Sequence, residues 1–329
     1  MLRLPDFRYH RPDSVARAVE LLAEHGDEAM PVAGGTDLIP NMKHRLFTPG
    51  HLVALKGIPE LTGIREEEQE LVIGAAETLT SVAENDHVRL RFPALARAAG
   101  NVAGPQLRNA GTIGGNLCLD TRCTYYNQTH FWRSALGYCL KKDGDTCHVT
   151  KVGQECVAAH SADTPPVFMT LGAVAELEGP DGPREIPVED FFLPDGTWNI
   201  RREPAEIVTR IRIPVHNPRL RSGYAKLRQR NSIDFPLLTV AVAGRLDGDG
   251  RVREIRGVVT GLGARPRTLT GWEEIAGGEI LDDELSDALA ERAHAQCRPL
   301  ENMIVDTEWR RAMVPVYVKK ALDRLRSGE

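Results

Sequence analysis

Along the first 55 residues, apolar positions recur at helical spacing and then gather into short runs. Val15, Val19 and Leu22 fall on one face of a 3.6-residue repeat, with Asp13 or Ser14 placed to cap its start and Gly26 to stop it. MPVA (Met30–Ala33) reads as a short buried strand that breaks into GGTD (Gly34–Asp37), and HLVAL (His51–Leu55) reads as another. The stretch predicts a small α/β unit. Residues 57–117 mix the two periods. ELVIGAAETL (Glu70–Leu79) is a strand entering a turn, and the acidic run EEEQE (Glu66–Glu70) is a solvated hairpin tip. Leu90–Asn116 reads as a helix, a loop and a second glycine turn, GTIGGN (Gly111–Asn116). Ala173–Phe192 predicts a hairpin around Pro180-Asp181-Gly182-Pro183, and Glu206–Val215 alternates as a strand. HNPRLRSG (His216–Gly223) marks a boundary. From about Tyr224 the pattern becomes α+β, with strands in Phe235–Leu246 and Arg251–Gly263 and helices near 282–296 and 310–326.

A chain of 329 residues fits about two domains. Its 42% hydrophobic and 26% charged residues are ordinary for a soluble globular protein. The net charge of −5 argues against nucleic acid as a partner, and no polybasic membrane patch stands out. The longest apolar stretches, such as LLTVAVAG (Leu237–Gly244), are strand-length, so no membrane span is expected. The N-terminus MLRLPDFRYHRPDS lacks an apolar h-region with a small-residue cleavage site, and the expected compartment is the cytoplasm. Thiols stay reduced there, so clustered cysteines read as metal ligands before disulfides.

Two glycine turns carry candidate binding chemistry. In PVAGGTDL (Pro31–Leu38) a strand ends directly in Gly34-Gly35, where successive N–H groups can point into one concavity that holds an anion. Thr36 adds a hydroxyl, and Asp37 either accepts a ribose hydroxyl or caps the next turn. GTIGGN repeats the arrangement, and two such turns suit a ligand with two phosphates. Neither is a dinucleotide-binding GxGxxG opening a helix, and neither has the GK[ST] of a Walker loop. No GxSxG, HExxH, SxxK or kinase signature is present. Asp282-Asp283-Glu284 read as the acidic start of a helix, and Arg228 and Arg230 as basic residues facing cofactor phosphates or a partner subunit.

PVAGGTDL, VAGPQLRNAGTIGGN and KLRQRNSIDFPLLTVAVA, in that order, resemble the FAD-binding subunit of molybdenum hydroxylases, the xanthine dehydrogenase and CO dehydrogenase flavoprotein family. The resemblance covers nearly the whole chain. It implies an α+β fold with a two-part FAD-binding domain over residues 1–217 (subdomains about 1–56 and 57–217), carrying an insert at 121–160, and a small α+β C-terminal domain over 218–329. It implies that Pro31, Val32, Ala33, Gly34, Gly35, Thr36, Asp37 and Leu38 cradle the FAD pyrophosphate, and that Thr112, Gly114, Gly115 and Asn116 make a second phosphate and ribose contact. Val102 falls at an apolar flavin contact. Lys226 falls at a lysine near the flavin, where a cation beside N1 and C2=O favours the reduced anion. Asp120 stands near, though not at, the family's acidic position after the second turn.

Four of the six cysteines crowd into the stretch TRCTYYNQTHFWRSALGYCLKKDGDTCHVTKVGQEC (Thr121–Cys156), where ordinary relatives have a much shorter connection. Structural zinc sites usually pair cysteines two to four residues apart, and no C-x2-C occurs here, which counts against zinc. A plant-type [2Fe–2S] site starts with Cys118-x4-Cys123 and then finds no third cysteine at the right distance. A [4Fe–4S] cube tolerates wide spacing, and four unrelated buried cysteines are the remaining alternative. Tyr125, Tyr126, Phe131, Trp132 and Tyr138 are aromatics able to shield a cluster from water, while His130, His148 and His160 read as loop-surface residues or residues behind the ligands. Asp143-Gly144-Asp145 reads as a turn rather than a calcium loop.

Within the family, the insert resembles that of the β subunit of 4-hydroxybenzoyl-CoA reductase, a flavin subunit with an additional [4Fe–4S] cluster. That likeness implies Cys123, Cys139, Cys147 and Cys156 as ligands, Cys118 as a packed thiol and Cys297 as a core residue. It also implies an electron-transfer subunit that has no molybdenum of its own. It would work with a [2Fe–2S] small subunit and a molybdopterin large subunit, and take electrons from a low-potential donor such as ferredoxin. In another molybdenum hydroxylase, oxidising an aldehyde or N-heterocycle, the flow would run outward.

Overall fold

The structure is a computed structural model that describes residues 2–215 and 219–328. Its N-terminal unit is a three-stranded parallel sheet of β1 (Arg8–His10), β2 (Ala29–Val32) and β3 (His51–Ala54), in the order β1-β3-β2. β1 and β2 flank β3, and the helix Val15–His25 carries the chain from one edge strand to the other as parallel strands require. Ser14 caps that helix by accepting the Arg17 N–H, and Val15, Val19 and Leu22 are buried as their spacing predicts.

The second unit is an antiparallel sheet of β4 (Ile64–Glu67), β5 (Glu70–Gly74), β6 (Val174–Gly179), β7 (Gly182–Pro187) and β8 (Ile207–Pro214), ordered β4-β5-β8-β6-β7. The acidic run does turn the β4–β5 hairpin, at Glu68 and Gln69. GTIGGN departs from a free turn. It opens a short helix, Ile113–Leu117, whose N-cap Thr112 accepts the Gly115 N–H at 3.1 Å. A capping threonine satisfies a first-turn donor that a bare turn would leave open.

The C-terminal unit is a four-stranded antiparallel sheet of β9 (Leu220–Leu227), β10 (Leu238–Leu246), β11 (Val252–Thr260) and β12 (Arg267–Leu269), ordered β12-β11-β10-β9. The helices Asp283–Gln296 and Thr307–Ser327 pack with it. Asp282 caps the first, accepting the Leu285 N–H at 2.9 Å, and Cys297 just beyond it is fully buried in the core. The expected domain boundary at 217–218 lies outside the described residues. β9 escaped the hydrophobic pattern because its sequence, LRSGYAKL, is set by contact rather than by apolar alternation. A Cβ on Gly223 would stand 2.0 Å from the Ala321 carbonyl oxygen, so the last helix lies directly on the strand backbone. Among the described residues no helix is long and apolar enough to cross a membrane.

The insert is mostly irregular. Its one α-helix is His130–Leu136, capped by Thr129. Arg133, 1% exposed, leaves this helix to donate to the carbonyls of His44 (3.2 Å) and Arg45 (3.0 Å), which ties the insert to the N-terminal unit. Phe131 and Trp132 correct the shielding expectation: they are 82% and 39% exposed, because Arg133 is the residue that this short helix turns inward.

Replacing Gly223 with Ala forces strand and helix apart and is expected to cost about 1–3 kcal/mol. The urea midpoint measures it, and an unchanged midpoint contradicts the direct packing of helix on strand.

Candidate cofactor cleft and cysteine cavity

The N-terminal and second units meet along one cleft of about 560 Å³. Pro31, Val32, Ala33, Gly34, Gly35, Thr36, Asp37 and Leu38 line one side, with Thr112, Gly114, Gly115 and Asn116 opposite and Val102 and Asp120 completing the wall. The two turns converge because Gly34 has no side chain. A Cβ there would lie 2.1 Å from the Ala110 carbonyl oxygen, so the strand end rests on the backbone that leads into GTIGGN. Gly35 follows at φ +67, a left-handed backbone that glycine takes without strain.

The turns differ in what they offer. Among the described residues, the N–H groups of Gly34, Gly35 and Thr36 donate to no protein acceptor, which is the donor set of an anion cradle. In the second turn, Ile113 donates to the Glu77 carbonyl, Gly114 to that of Ala75, Gly115 to Thr112 Oγ1 and Asn116 to the Thr112 carbonyl. The backbone donors from Ile113 to Asn116 are thus already engaged. The Asn116 side-chain oxygen is engaged too, since Oδ1 accepts the Thr164 hydroxyl at 2.7 Å.

Lys226 does not line the cleft. It stands behind Asp163, which does, and pairs with it at 2.9 Å with both side chains almost fully buried. Tyr224 donates to the other Asp163 oxygen at 2.5 Å, and Lys226 also donates to the Asn101 carbonyl at 3.0 Å. Burial pushes the Asp163 carboxyl up and the Lys226 ammonium down, each opposed by the other. The network ties β9 to the Asn101-Val102 loop. Sequence reading missed Asp163, an isolated acid with no motif around it. Arg228 donates to the same Asn101 carbonyl, and Arg230 is held by Asp234 and Ile233, so neither reaches the cleft.

The insert forms part of the cleft wall. Arg122 pairs with Asp37 and lies 4.4 Å from the Phe235 ring centroid. Asp120 accepts from Tyr126 Oη at 2.9 Å and from Lys141 Nζ at 2.7 Å, and the Lys141 ammonium sits 4.7 Å from the Tyr126 ring centroid. Tyr126 and Lys141 line the cleft and also a second, small cavity. Cys123, Cys139, Cys147 and Cys156 all line that second cavity, with Tyr125 and His148. All four thiols are free, and Cys139, Cys147 and Cys156 are buried. Burial pushes Cys123 and Cys156 up to about 11. Burial also raises Cys147, yet hydrogen bonds from Thr150, Val149 and Val157 bring its thiol below the ordinary value. Among the described residues, no three of these sulfurs lie within 4.8 Å of one another.

Cys118 lines the cleft and not the cysteine cavity, and burial lifts its thiol to about 11. His160 lies neither at the surface nor at the cavity. It is fully buried edge-on to Phe192, and burial alone lowers its pKa to about 3.

Residues 5–216 match the family described as the FAD binding domain in molybdopterin dehydrogenase, and residues 223–325 match the CO dehydrogenase flavoprotein C-terminal domain. The chain is a FAD-binding medium subunit of the molybdenum hydroxylase family. It is 33% identical to the carbon monoxide dehydrogenase medium chain of Hydrogenophaga pseudoflava, over 97% of this chain and 96% of that one. It is 34% identical to the aldehyde oxidoreductase FAD-binding subunit PaoB of Escherichia coli, over 75% and 80%. The solved carbon monoxide dehydrogenase from Hydrogenophaga pseudoflava superimposes with a TM-score of 0.81 and 32% identity, covering 99% of each chain. These molybdenum hydroxylase relatives are oxidoreductase subunits, and the FAD-binding domain plus flavoprotein C-terminal domain is the fold seen here.

Gly34→Ala sets a methyl against the Ala110 carbonyl. It is expected to yield folded protein that retains less than a tenth of the wild-type FAD, read from the flavin absorbance per chain. Full flavin occupancy would contradict the close approach.

Proposed function

We propose that this chain is the FAD and [4Fe–4S] electron-transfer subunit of a molybdenum-containing aryl-CoA reductase of the 4-hydroxybenzoyl-CoA reductase kind. The reading is carried by one observation: four cysteines of a single insert line one cavity that shares Tyr126 and Lys141 with the cofactor cleft. Four thiolates in one cavity, three of them buried, with one nearby ammonium would be a costly concentration of negative charge, and an iron–sulfur core would supply the missing positive charge. A single zinc ion with bonds of about 2.3 Å would draw its sulfurs to about 3.8 Å from one another. No C-x2-C of the kind a structural zinc site uses occurs among these four cysteines, which favours a polynuclear core over one ion.

Residues of this chain divide the work. The free N–H groups of Gly34, Gly35 and Thr36 hold the pyrophosphate, and Val102 packs on the flavin. Lys226 acts through Asp163, keeping a charged, hydrogen-bonded wall behind the flavin. When bound, FAD exchanges electrons in pairs or singly and so couples a two-electron partner to one-electron iron–sulfur centres. In the proposed direction, a low-potential donor such as ferredoxin supplies electrons at the insert. They leave toward a [2Fe–2S] small subunit and a molybdopterin large subunit. There an aryl hydroxyl is replaced by hydrogen, at the expense of two electrons and two protons, with release of water. The boundaries 1–217 and 218–329 describe the FAD-binding and C-terminal halves in this assignment.

A second reading has its own support, because the relatives carry the names of carbon monoxide dehydrogenase, aldehyde oxidoreductase and xanthine dehydrogenase. In it the same subunit passes electrons outward from an oxidation. The assembled complex separates the two. Reduced ferredoxin or dithionite with 4-hydroxybenzoyl-CoA is expected to give benzoyl-CoA. Turnover only with an aldehyde or N-heterocycle and an electron acceptor would overturn the reductase assignment and leave the FAD subunit intact.

A further inference from the structure

Away from both cavities, three histidines from separate elements meet at the sheet of the N-terminal unit. His10 ends β1, His51 opens β3, and His25 ends the helix Val15–His25. His10 Nε2 and His51 Nδ1 are 2.9 Å apart and share one hydrogen. The His25 ring stacks on His51 with centroids 3.7 Å apart, and His10 lies 5.3 Å from His25. One nitrogen from each ring falls within 4.8 Å of the other two. All three residues are half-buried, so solvent reaches them while their backbones are fixed by strand and helix. Glu28 is the acid beside them: its Oε2 lies 3.7 Å from where a Cβ on Gly50 would stand, and its charge acts on His51.

We propose that His10, His25 and His51 form a binding site for a divalent metal ion of the zinc, cobalt or nickel class, with Glu28 or water as the fourth ligand. Imidazole nitrogens suit these ions, and three protein ligands with an open fourth position form a familiar coordination set. Bonds of about 2.0–2.1 Å in a tetrahedron place nitrogens about 3.3 Å apart. The His10–His51 pair reaches that by opening a few tenths of an ångström as the ion replaces the shared proton. His25 reaches it by tilting its ring out of the stack, a rotation of one side chain at a helix end. Burial, the two neighbouring imidazoles and Arg8 hold His51 below the ordinary histidine value, with Glu28 opposing them.

The position gives the ion a consequence. β3 is the central strand of the sheet, and its neighbour β2 runs into Gly34-Gly35. A metal bound here joins β1, β3 and the crossover helix, and so braces the unit that carries the first glycine turn.

Cobalt(II) tests this on tag-free, flavin-loaded protein prepared without oxygen. One equivalent is expected to bind with ligand-field absorption but no thiolate-to-cobalt charge-transfer band, and to raise the melting temperature. His51→Gln and His25→Gln are each expected to weaken this binding at least tenfold with FAD content unchanged. His25, at a helix end, serves if the His51 variant does not fold. Uptake solely with a thiolate band, no uptake, or uptake unchanged in the folded variants would overturn the site.

Discussion

The backbone of Gly34 rests on the carbonyl of Ala110, and the cofactor cleft exists because it does. Any side chain at 34 would separate the end of β2 from the segment entering GTIGGN, and with them the two walls of the cleft. Gly34, Gly35 and Thr36 line the cleft, and among the described residues their N–H groups have no protein acceptor. Unpaired backbone donors are costly when dry, so they are the strongest structural sign that an anion belongs there. The opposite wall is different in kind. Its short helix has its first N–H groups taken up by Thr112, Glu77 and Ala75, and it contributes shape and closeness more than donors.

The insert is built into this cleft. Arg122 reaches Asp37 in the first turn, Asp120 binds Lys141 and Tyr126, and Arg133 anchors the loop on His44 and Arg45. Those contacts leave Tyr126 and Lys141 as the wall between the flavin cleft and the four cysteines. One buried lysine thus faces both cavities, compensating Asp120 on one side and acting on Cys156 on the other. The charge environment of each cavity is therefore linked to the other through a single side chain.

Much of this was legible in the chain. The helix Val15–His25, the acidic hairpin tip and both glycine turns announce themselves because each is a local device, set by spacing, capping or backbone freedom. What stayed hidden depends on contacts between distant segments. β9 reads poorly because Gly223 answers to a helix about a hundred residues later. Lys226 was placed at the flavin, whereas its charge is spent on Asp163 and Asn101. Phe131 and Trp132 are aromatic, and composition cannot tell a shield from a surface. The histidine trio joins residues 10, 25 and 51, with no motif to connect them.

The iron–sulfur cube proposed for the insert would sit beside the flavin. It is tested most directly by iron, zinc and acid-labile sulfide per FAD in protein purified without oxygen, with EPR after dithionite reduction. The account predicts about four iron and four sulfide per flavin and a reduced-cubane signal. Flavin accompanied by zinc, or by cysteines without sulfide, would contradict it.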